Sequence, residues 1–296
     1  MTADGSGRHA VEGGQLTAAY QLPEGATGMD AGLTLTKIAR AHDGVVSLSV
    51  HPTQALGEAA PAAGAAVGIT GARMQHGSPN GCVEVQEIDA ASRGARMLLT
   101  ASGRSDPQDF VLALVGTGTA FAAVRERTAT HLGGTALGGG SFAGIARSIE
   151  PTLDYSSMIA RAERGDRRRV DTMVSDAYPE GIGRIGPELT AAHLAKLAAG
   201  DPRSAELDDV MAALLNLHAE NIAQIAASRA LVAQLPLVVL AGGFVHNNLA
   251  LVRSLTTMIA RFGVQAELAP WPGFAGALGA AVIASEAQAA ELEVQE

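Results

Sequence analysis

Leu114 to Gly144, LVGTGTAFAAVRERTATHLGGTALGGGSFAG, is the stretch whose reading decides the fold. It continues an apolar run, Phe110 to Val115, which reads as a strand and breaks at Gly116-Thr117-Gly118-Thr119. A short polar excursion leads to a second glycine cluster, Gly133 to Gly140, and a helix-like run starts at Ser141. Glycine at this density lets backbone N–H groups approach an anion with no side chain in the way. Threonine hydroxyls add donors, and a helix opening after Gly140 aims its positive end at the same place. The plainer reading is two tight turns and a helix cap, which would suffice for one GTGT. Two such turns in one strand–turn–strand–turn–helix unit favour a polyphosphate.

Outward from that stretch, the composition narrows the class. The chain has 296 residues, 35 of them glycine, with 47% hydrophobic and only 3% aromatic residues. That is enough for one large or two moderate α/β domains with cores of small aliphatic side chains. A net charge of −9 speaks against nucleic acid as a partner, which calls for a basic face. The basic run Arg161 to Arg169 is short and interrupted by acids, so it reads as a solvated helix end. Cys82 stands alone, excluding an intrachain disulfide. No apolar h-region opens the chain, and no apolar run is long enough to span a bilayer. A soluble cytoplasmic protein with no membrane partner is the expectation.

In chain order, residues 1–25 read as a flexible arm, with ordered structure starting near Ala26. Thr27 to Arg40 reads as two short strands joined by a turn at Asp30 to Thr34, and Val45 to Val50 continues the meander. An acid ending a first strand, followed by a Gly/Thr hairpin and a lysine, can hold Mg²⁺ through water and contact phosphates; Asp-x-Gly also makes ordinary turns. Gln54 to Ala65 reads as a helix, Val67 to Gly71 as a strand and turn, and Val83 to Glu87 as a strand leading into a helix from Asp89 to Leu99. Glu87 at that junction can face a cleft, or can simply favour the helix dipole. Arg167 to Ala177 and Leu189 to Ala199 read as helical. An apolar stripe from Leu207 to Ile225 marks a long helix over 204–234, normally core although part can serve a dimer. Leu237 to Ala241 is a buried strand ending in Gly242-Gly243, and the last helix opens near Gly273 to Ala280.

Glycine-cornered strand pairs at Asp30 and Gly116, with the later Gly242-Gly243 turn, resemble the actin-like sugar-kinase and Hsp70 ATPase fold. Eight blocks in order sharpen this: GMDAGLTLTK, EIDAASRG, VGTGTA, GGTALGGG, Gly165-Asp166, Pro187 to Ala192, GGFVHNN and GFAGALGA. Over residues 26 to 285 they resemble the bacterial type II pantothenate kinase (Fumble-like) family. The resemblance implies an α/β, actin-like (ribonuclease H-like) two-domain kinase with duplicated mixed sheets flanked by helices. Its smaller lobe would be 26–112 and its larger one 113–296. It implies ATP- and Mg²⁺-dependent phosphorylation of a primary alcohol, pantothenate, by a homodimer. Glu87 would be the general base, reversing the dipole reading, and Asp30 would orient Mg²⁺. Gly32, Thr34, Lys37, Gly116, Thr117, Gly118, Thr119 and Gly138, Gly139, Gly140 would hold phosphates. Gly242, Gly243 and Asn247 would line the adenosine site.

Three departures stand out, two of them where an acceptor would be expected. Leu33 replaces a glycine of the first hairpin. His131 stands where the family has an arginine that helps bind transition-state charge or substrate, and imidazole lacks arginine's fixed, bidentate charge. Trp271-Pro272-Gly273 replaces a usual E-N-G. A paralogue acting on another small alcohol, such as a nucleoside, with His131 and Trp271 in one reshaped pocket, is the second reading. A catalytically silent nucleotide-binding regulator is the third.

Overall fold

The computed structural model describes residues 14–16, 22–32, 35–53, 65–71, 81–102, 108–183, 185–200 and 205–295. The helix expected over 54–65 falls almost wholly outside these, as do Leu33 and Thr34. Its strands build two mixed sheets. The first runs β1-β4-β3-β2-β5-β6, from β1 (Gly14–Leu16), β2 (Thr27–Ala31), β3 (Leu35–His42), β4 (Val45–Pro52), β5 (Val67–Thr70) and β6 (Val83–Glu84). After α1 (Glu87–Ala101) comes β7 (Phe110–Val115), then the hairpin β8 (Thr119–Arg125) and β9 (Thr128–Thr135). Together with β12 (Leu237–Ala241) and β13 (Gln265–Leu268) these form the second sheet, ordered β13-β12-β7-β8-β9. The polar excursion in the opening stretch is the turn of the β8–β9 hairpin.

Both faces of the second sheet are covered, which is why β7 and β12 are apolar throughout. Val111, Ala113, Val115, Val238 and Leu240 point into one core. That core is shared with α2 (Gly139–Ile149), α3 (Tyr155–Arg164), α5 (Leu207–Ala233) and α6 (Leu249–Arg261). Phe110, Leu112, Leu237 and Val239 point the other way, toward α1, α7 (Ala275–Gln295) and the first sheet. The α5 stripe is therefore used inside one chain: Met211, Leu214 and Ile222 are core residues.

Four expectations change. Gly14 to Leu16 is ordered, pairing antiparallel with Leu48 to Val46, so part of the expected arm is a strand. Glu87 is not the end of a strand but the first residue of α1. Residues 167–177 form no α-helix: a 3₁₀ turn at Arg167–Arg169, strand β10 (Thr172–Met173) and a second 3₁₀ turn replace it. Within 189–199, β11 (Thr190–Ala192) pairs with β10, leaving only α4 (Ala195–Ala199) helical.

An ion cluster explains those last two. Asp171, fully buried, receives Arg167 Nη1 at 3.3 Å and the Leu194 N–H at 2.8 Å. Arg167 also donates to Thr190 Oγ1 at 2.6 Å, and that hydroxyl donates to Glu220 Oε1 at 2.9 Å. His193 lies between Glu220, 3.2 Å from Nε2, and Asp171, 3.8 Å from Nδ1. Satisfying these buried charges outweighs the helical propensity of the two segments.

Helix α7 crosses back from the second sheet onto the first. A Cβ on Gly28 or Gly68 would overlap the carbonyls of Ala277 or Ala280, and one on Gly94 of α1 would overlap that of Ala275. Such backbone contact is open only to glycine.

Two outcomes follow. On an exposed helix face, Gly94→Ala would stabilise by about 1 kcal/mol; here the overlap with α7 reverses the sign, at a net cost of about 1–3 kcal/mol. A lower urea midpoint with an unchanged slope is expected, and a raised midpoint would refute the close contact. For His193, burial depresses the pKa, but Asp171 and Glu220 outweigh it and push it up to about 9. The stability it contributes is full below the unfolded value near 6.5 and disappears as pH rises through about 9. The destabilisation caused by His193→Gln should accordingly be larger at pH 6 than at pH 9.5, measured by denaturant titration at both.

Candidate active site

Asp30 and Lys37 face each other across the first hairpin because β2 and β3 pair them directly. Lys37 Nζ lies 3.2 Å from Asp30 Oδ2, with both side chains largely shielded from solvent. Gly32 closes the turn, its N–H donating to the Asp30 and Leu35 carbonyls. The first turn of α7 presses on the same carboxylate, since a Cβ on Gly276 would lie 3.1 Å from Asp30 Oδ2. That helix end favours negative charge there.

Glu87 opens α1, which packs on α7 through Gly94 and Gly279. It is exposed to solvent, yet the protein mass around its carboxyl raises the pKa by desolvation. The like charge of Asp30 adds to this and the Lys37 cation opposes it. These couplings bring Asp30, Lys37 and Glu87 into one electrostatic cluster. A carboxylate raised in this way is a better proton acceptor than an ordinary surface glutamate.

Among the described residues, no three His, Cys, Asp or Glu ligand atoms converge at Asp30. What the site offers a divalent ion is one carboxylate. The buried Thr70 hydroxyl, on the strand position paired with Asp30, has no hydrogen-bond partner among the described residues. That donor set fits Mg²⁺, which keeps waters and binds through one or two carboxylates plus substrate phosphates.

The second cluster is built from the two glycine turns. Gly139 and Gly140 donate their N–H groups to the Gly116 and Thr117 carbonyls at 2.8 and 2.9 Å. Gly138 fits so closely that a Cβ would stand 2.6 Å from the Thr117 carbonyl oxygen. Thr119 is buried and donates its hydroxyl to Leu137 O at 2.8 Å. The later turn and Thr119 thus brace the earlier one. Among the described residues no acceptor is recorded for the Thr117 and Gly118 N–H groups, and the Thr117 side chain is exposed. These are the donors left to meet an anion.

The third turn joins the second at the end of β7. Gly242 has φ +107°, donates to Pro272 O at 2.7 Å and packs on the Val115 carbonyl, which accepts from the Phe244 N–H at 3.0 Å. Gly243 faces open space and Asn247 is exposed. Asn248 caps α6 through Leu251 N–H.

His131 is separate. It lies exposed on the edge strand β9 opposite Ala122, whereas Trp271 follows β13 at the other edge of the sheet. Trp271 packs on His246 and Phe274 at ring distances of 6.3 Å, so the two do not share a pocket. The cation reaching β9 is Arg229 of α5, whose Nη2 is 3.6 Å from where a Gly133 Cβ would stand.

Ser141 and His218 were not singled out in the sequence. Ser141 Oγ accepts from the Gly138 N–H at 3.0 Å and lies 2.9 Å from His218 Nε2. A serine three residues past a glycine turn signals such a cap, but nothing local points to its histidine. A cavity of about 550 Å³ lies between α3, α5 and α6, bounded by Arg167, Asn216, Glu188 and Ser254 among others.

The model of the Fumble family matches residues 83–283. The type II pantothenate kinase of Oceanobacillus iheyensis is 30% identical over 260 residues, 86% of this chain and 97% of that protein. That of Staphylococcus aureus is 28% identical over 194 residues, 66% of this chain and 72% of the other. Among solved structures, the activator of the 2-hydroxyisocaproyl-CoA dehydratase from Clostridium difficile, with bound ADPNP, aligns with a TM-score of 0.61. It is 17% identical and covers 90% of this chain and 97% of its own. Component A of the Acidaminococcus fermentans (R)-2-hydroxyglutaryl-CoA dehydratase aligns with a TM-score of 0.62 at 19% identity, over 89% of this chain and 98% of its own. At such identities the structural likeness carries the fold alone, and that fold is the actin-like one.

Proposed function

The chain belongs to the Fumble family, and from that premise we propose that it phosphorylates pantothenate. It is an ATP-dependent phosphotransferase acting on an alcohol. The observation that carries the substrate is the kinship with a type II pantothenate kinase at 30% identity over 86% of the chain. On this reading the lobes, 26–112 and 113–296, close over the nucleotide, with α7 continuing across both. Thr117, Gly118 and Lys37 hold phosphate oxygens; Gly242, Gly243 and Asn247 border the adenosine. Asp30 holds Mg²⁺, which neutralises phosphate charge when bound. Glu87 takes the proton of the attacking hydroxyl as the γ-phosphoryl passes in line, and Lys37 offsets the charge that develops. The pairing of Asp30 with Lys37 and the raised pKa of Glu87 support an active enzyme over a silent regulator. A homodimer remains part of the proposal.

Glu87→Gln keeps the shape but cannot take the proton, and should lower kcat roughly 10²–10⁴-fold with nucleotide binding preserved. The acid limb of the unmodified enzyme's pH–rate profile should lie above the ordinary carboxylate range near 4.3 and vanish in the variant. Retained activity in Glu87→Gln, with loss in Glu84→Gln, would assign the base to the other carboxylate.

His131 supports a second reading, adaptation to another small alcohol. If pantothenate is the acceptor, His131→Arg restores a charged hydrogen bond and should raise kcat/KM, by roughly ten- to a hundredfold at most. If the chain serves another acceptor, the same substitution impairs the native reaction. ADP release with pantothenate and a nucleoside panel, for both proteins, separates the two.

A further inference from the structure

We infer that His218 is a positioning residue for the nucleotide-phosphate loop, acting through Ser141 on the Gly138–Gly140 turn and through that turn on Gly116–Thr119. The inference rests on the reading of Gly116–Thr119 as the phosphate loop.

His218 lies on α5, 77 residues from Ser141, and is completely buried. Its Nδ1 is 2.8 Å from the Leu214 carbonyl oxygen. A carbonyl only accepts, so Nδ1 carries the hydrogen. Burial, with the nearby His193 cation, lowers the pKa of the ring, which leaves a lone pair on Nε2. The Ser141 hydroxyl at 2.9 Å therefore donates to Nε2. The Gly138 carbonyl, at 3.1 Å, is the alternative acceptor for that hydrogen, slightly farther away than Nε2.

With its hydrogen directed at His218, the Ser141 oxygen turns a lone pair to the Gly138 N–H, 3.0 Å away. The next two N–H groups continue the brace to the Gly116 and Thr117 carbonyls. Each of those carbonyls shares a peptide plane with one of the two donors left open, Gly116 O with the Thr117 N–H and Thr117 O with the Gly118 N–H, so the brace orients both. The ring reaches the loop through hydrogen bonds joined by the backbone of Gly138 to Gly140.

The surroundings argue against a filler role. Phe142 and Phe244 stand edge-on to the ring at 5.8 and 6.3 Å. An aliphatic side chain would fill such a site without the cost of burying an imidazole. The bond to Leu214 would account for one nitrogen only; the second has Ser141 as its partner. A misplaced loop donor weakens nucleotide binding and leaves the acceptor untouched, which a general loss of stability would not do.

The test uses Ser141→Ala, His218→Asn, His218→Gln and the Ser141→Ala/His218→Asn pair. ADP binding by calorimetry, KM for ATP, KM for the acceptor and melting temperature are measured for each. Ser141→Ala and His218→Asn should raise KM for ATP roughly three- to tenfold, with acceptor KM within about twofold. His218→Gln, whose longer amide can place an acceptor near the Nε2 position, should recover most of the ATP affinity. The double variant should be no worse than the poorer single one. Unchanged ATP affinity in both single variants would overturn the inference, as would fully additive effects or parallel losses in both KM values. An unmodified protein that binds no nucleotide would overturn the phosphate-loop reading, and this inference with it; normal binding there isolates the failure to His218.

Discussion

Helix α7 rests on the first sheet by backbone contact, and the placement of Asp30 and Glu87 depends on that seat. The carbonyls of Ala277 and Ala280 occupy the space that side chains at Gly28 and Gly68 would fill. The same helix meets α1 at Gly94 and Gly279, and its first turn touches the Asp30 carboxylate at Gly276. Asp30 and Glu87, on different elements, are thus held by one rigid body. Interiors packed this tightly transmit displacement instead of absorbing it. A shift of α7 would move both carboxylates together, leaving their mutual coupling intact while altering their relation to the glycine loops.

That coupling sets the chemistry. Asp30 has Lys37 as its ion-pair partner and the first turn of α7 against its carboxylate. Glu87 has desolvation and the Asp30 charge against it, with Lys37 only partly compensating. The two carboxylates thus sit in different surroundings, Asp30 paired with Lys37 and Glu87 pushed up by desolvation and by the Asp30 charge. Lys37 serves both, because the β2–β3 register places it opposite Asp30. A shift of one residue in that register would turn the lysine to the other face of the sheet.

The elements legible in the sequence are those whose signal is local. Phe110–Val115 and Leu237–Ala241 are apolar on both faces and were bounded correctly, and the stripe of α5 marked its length to within a few residues. The segments misread as helices, 167–177 and 189–199, carry ordinary helical propensity, but their conformation is imposed by Asp171, His193 and Glu220, whose partners lie far away in sequence. Strand β1 exists through its pairing with Leu48 to Val46, which no local pattern announces. Asp30, Lys37 and the glycine turns were legible because their chemistry is written in short motifs; the division of work between the turns was not. Ser141 belongs to the quoted stretch, yet its role depends on a histidine supplied by another helix.

The separation of His131 from Trp271 changes what a replaced arginine means. Had the two shared a pocket, they would describe one reshaped binding surface. They lie instead at opposite edges of the second sheet, with Trp271 committed to packing on His246 and Phe274. The surroundings of His131 are then those of strand β9 alone. There Arg229 already brings a guanidinium to the neighbourhood of Gly133, and among the described residues no carboxylate is recorded as its ion-pair partner. In a chain with a net charge of −9, a guanidinium without a carboxylate is a local excess of positive potential. Strand β9, which carries His131, thus has a guanidinium of a packed helix within reach at Gly133, so the electrostatics near this strand depend on α5 as well as on its own residues.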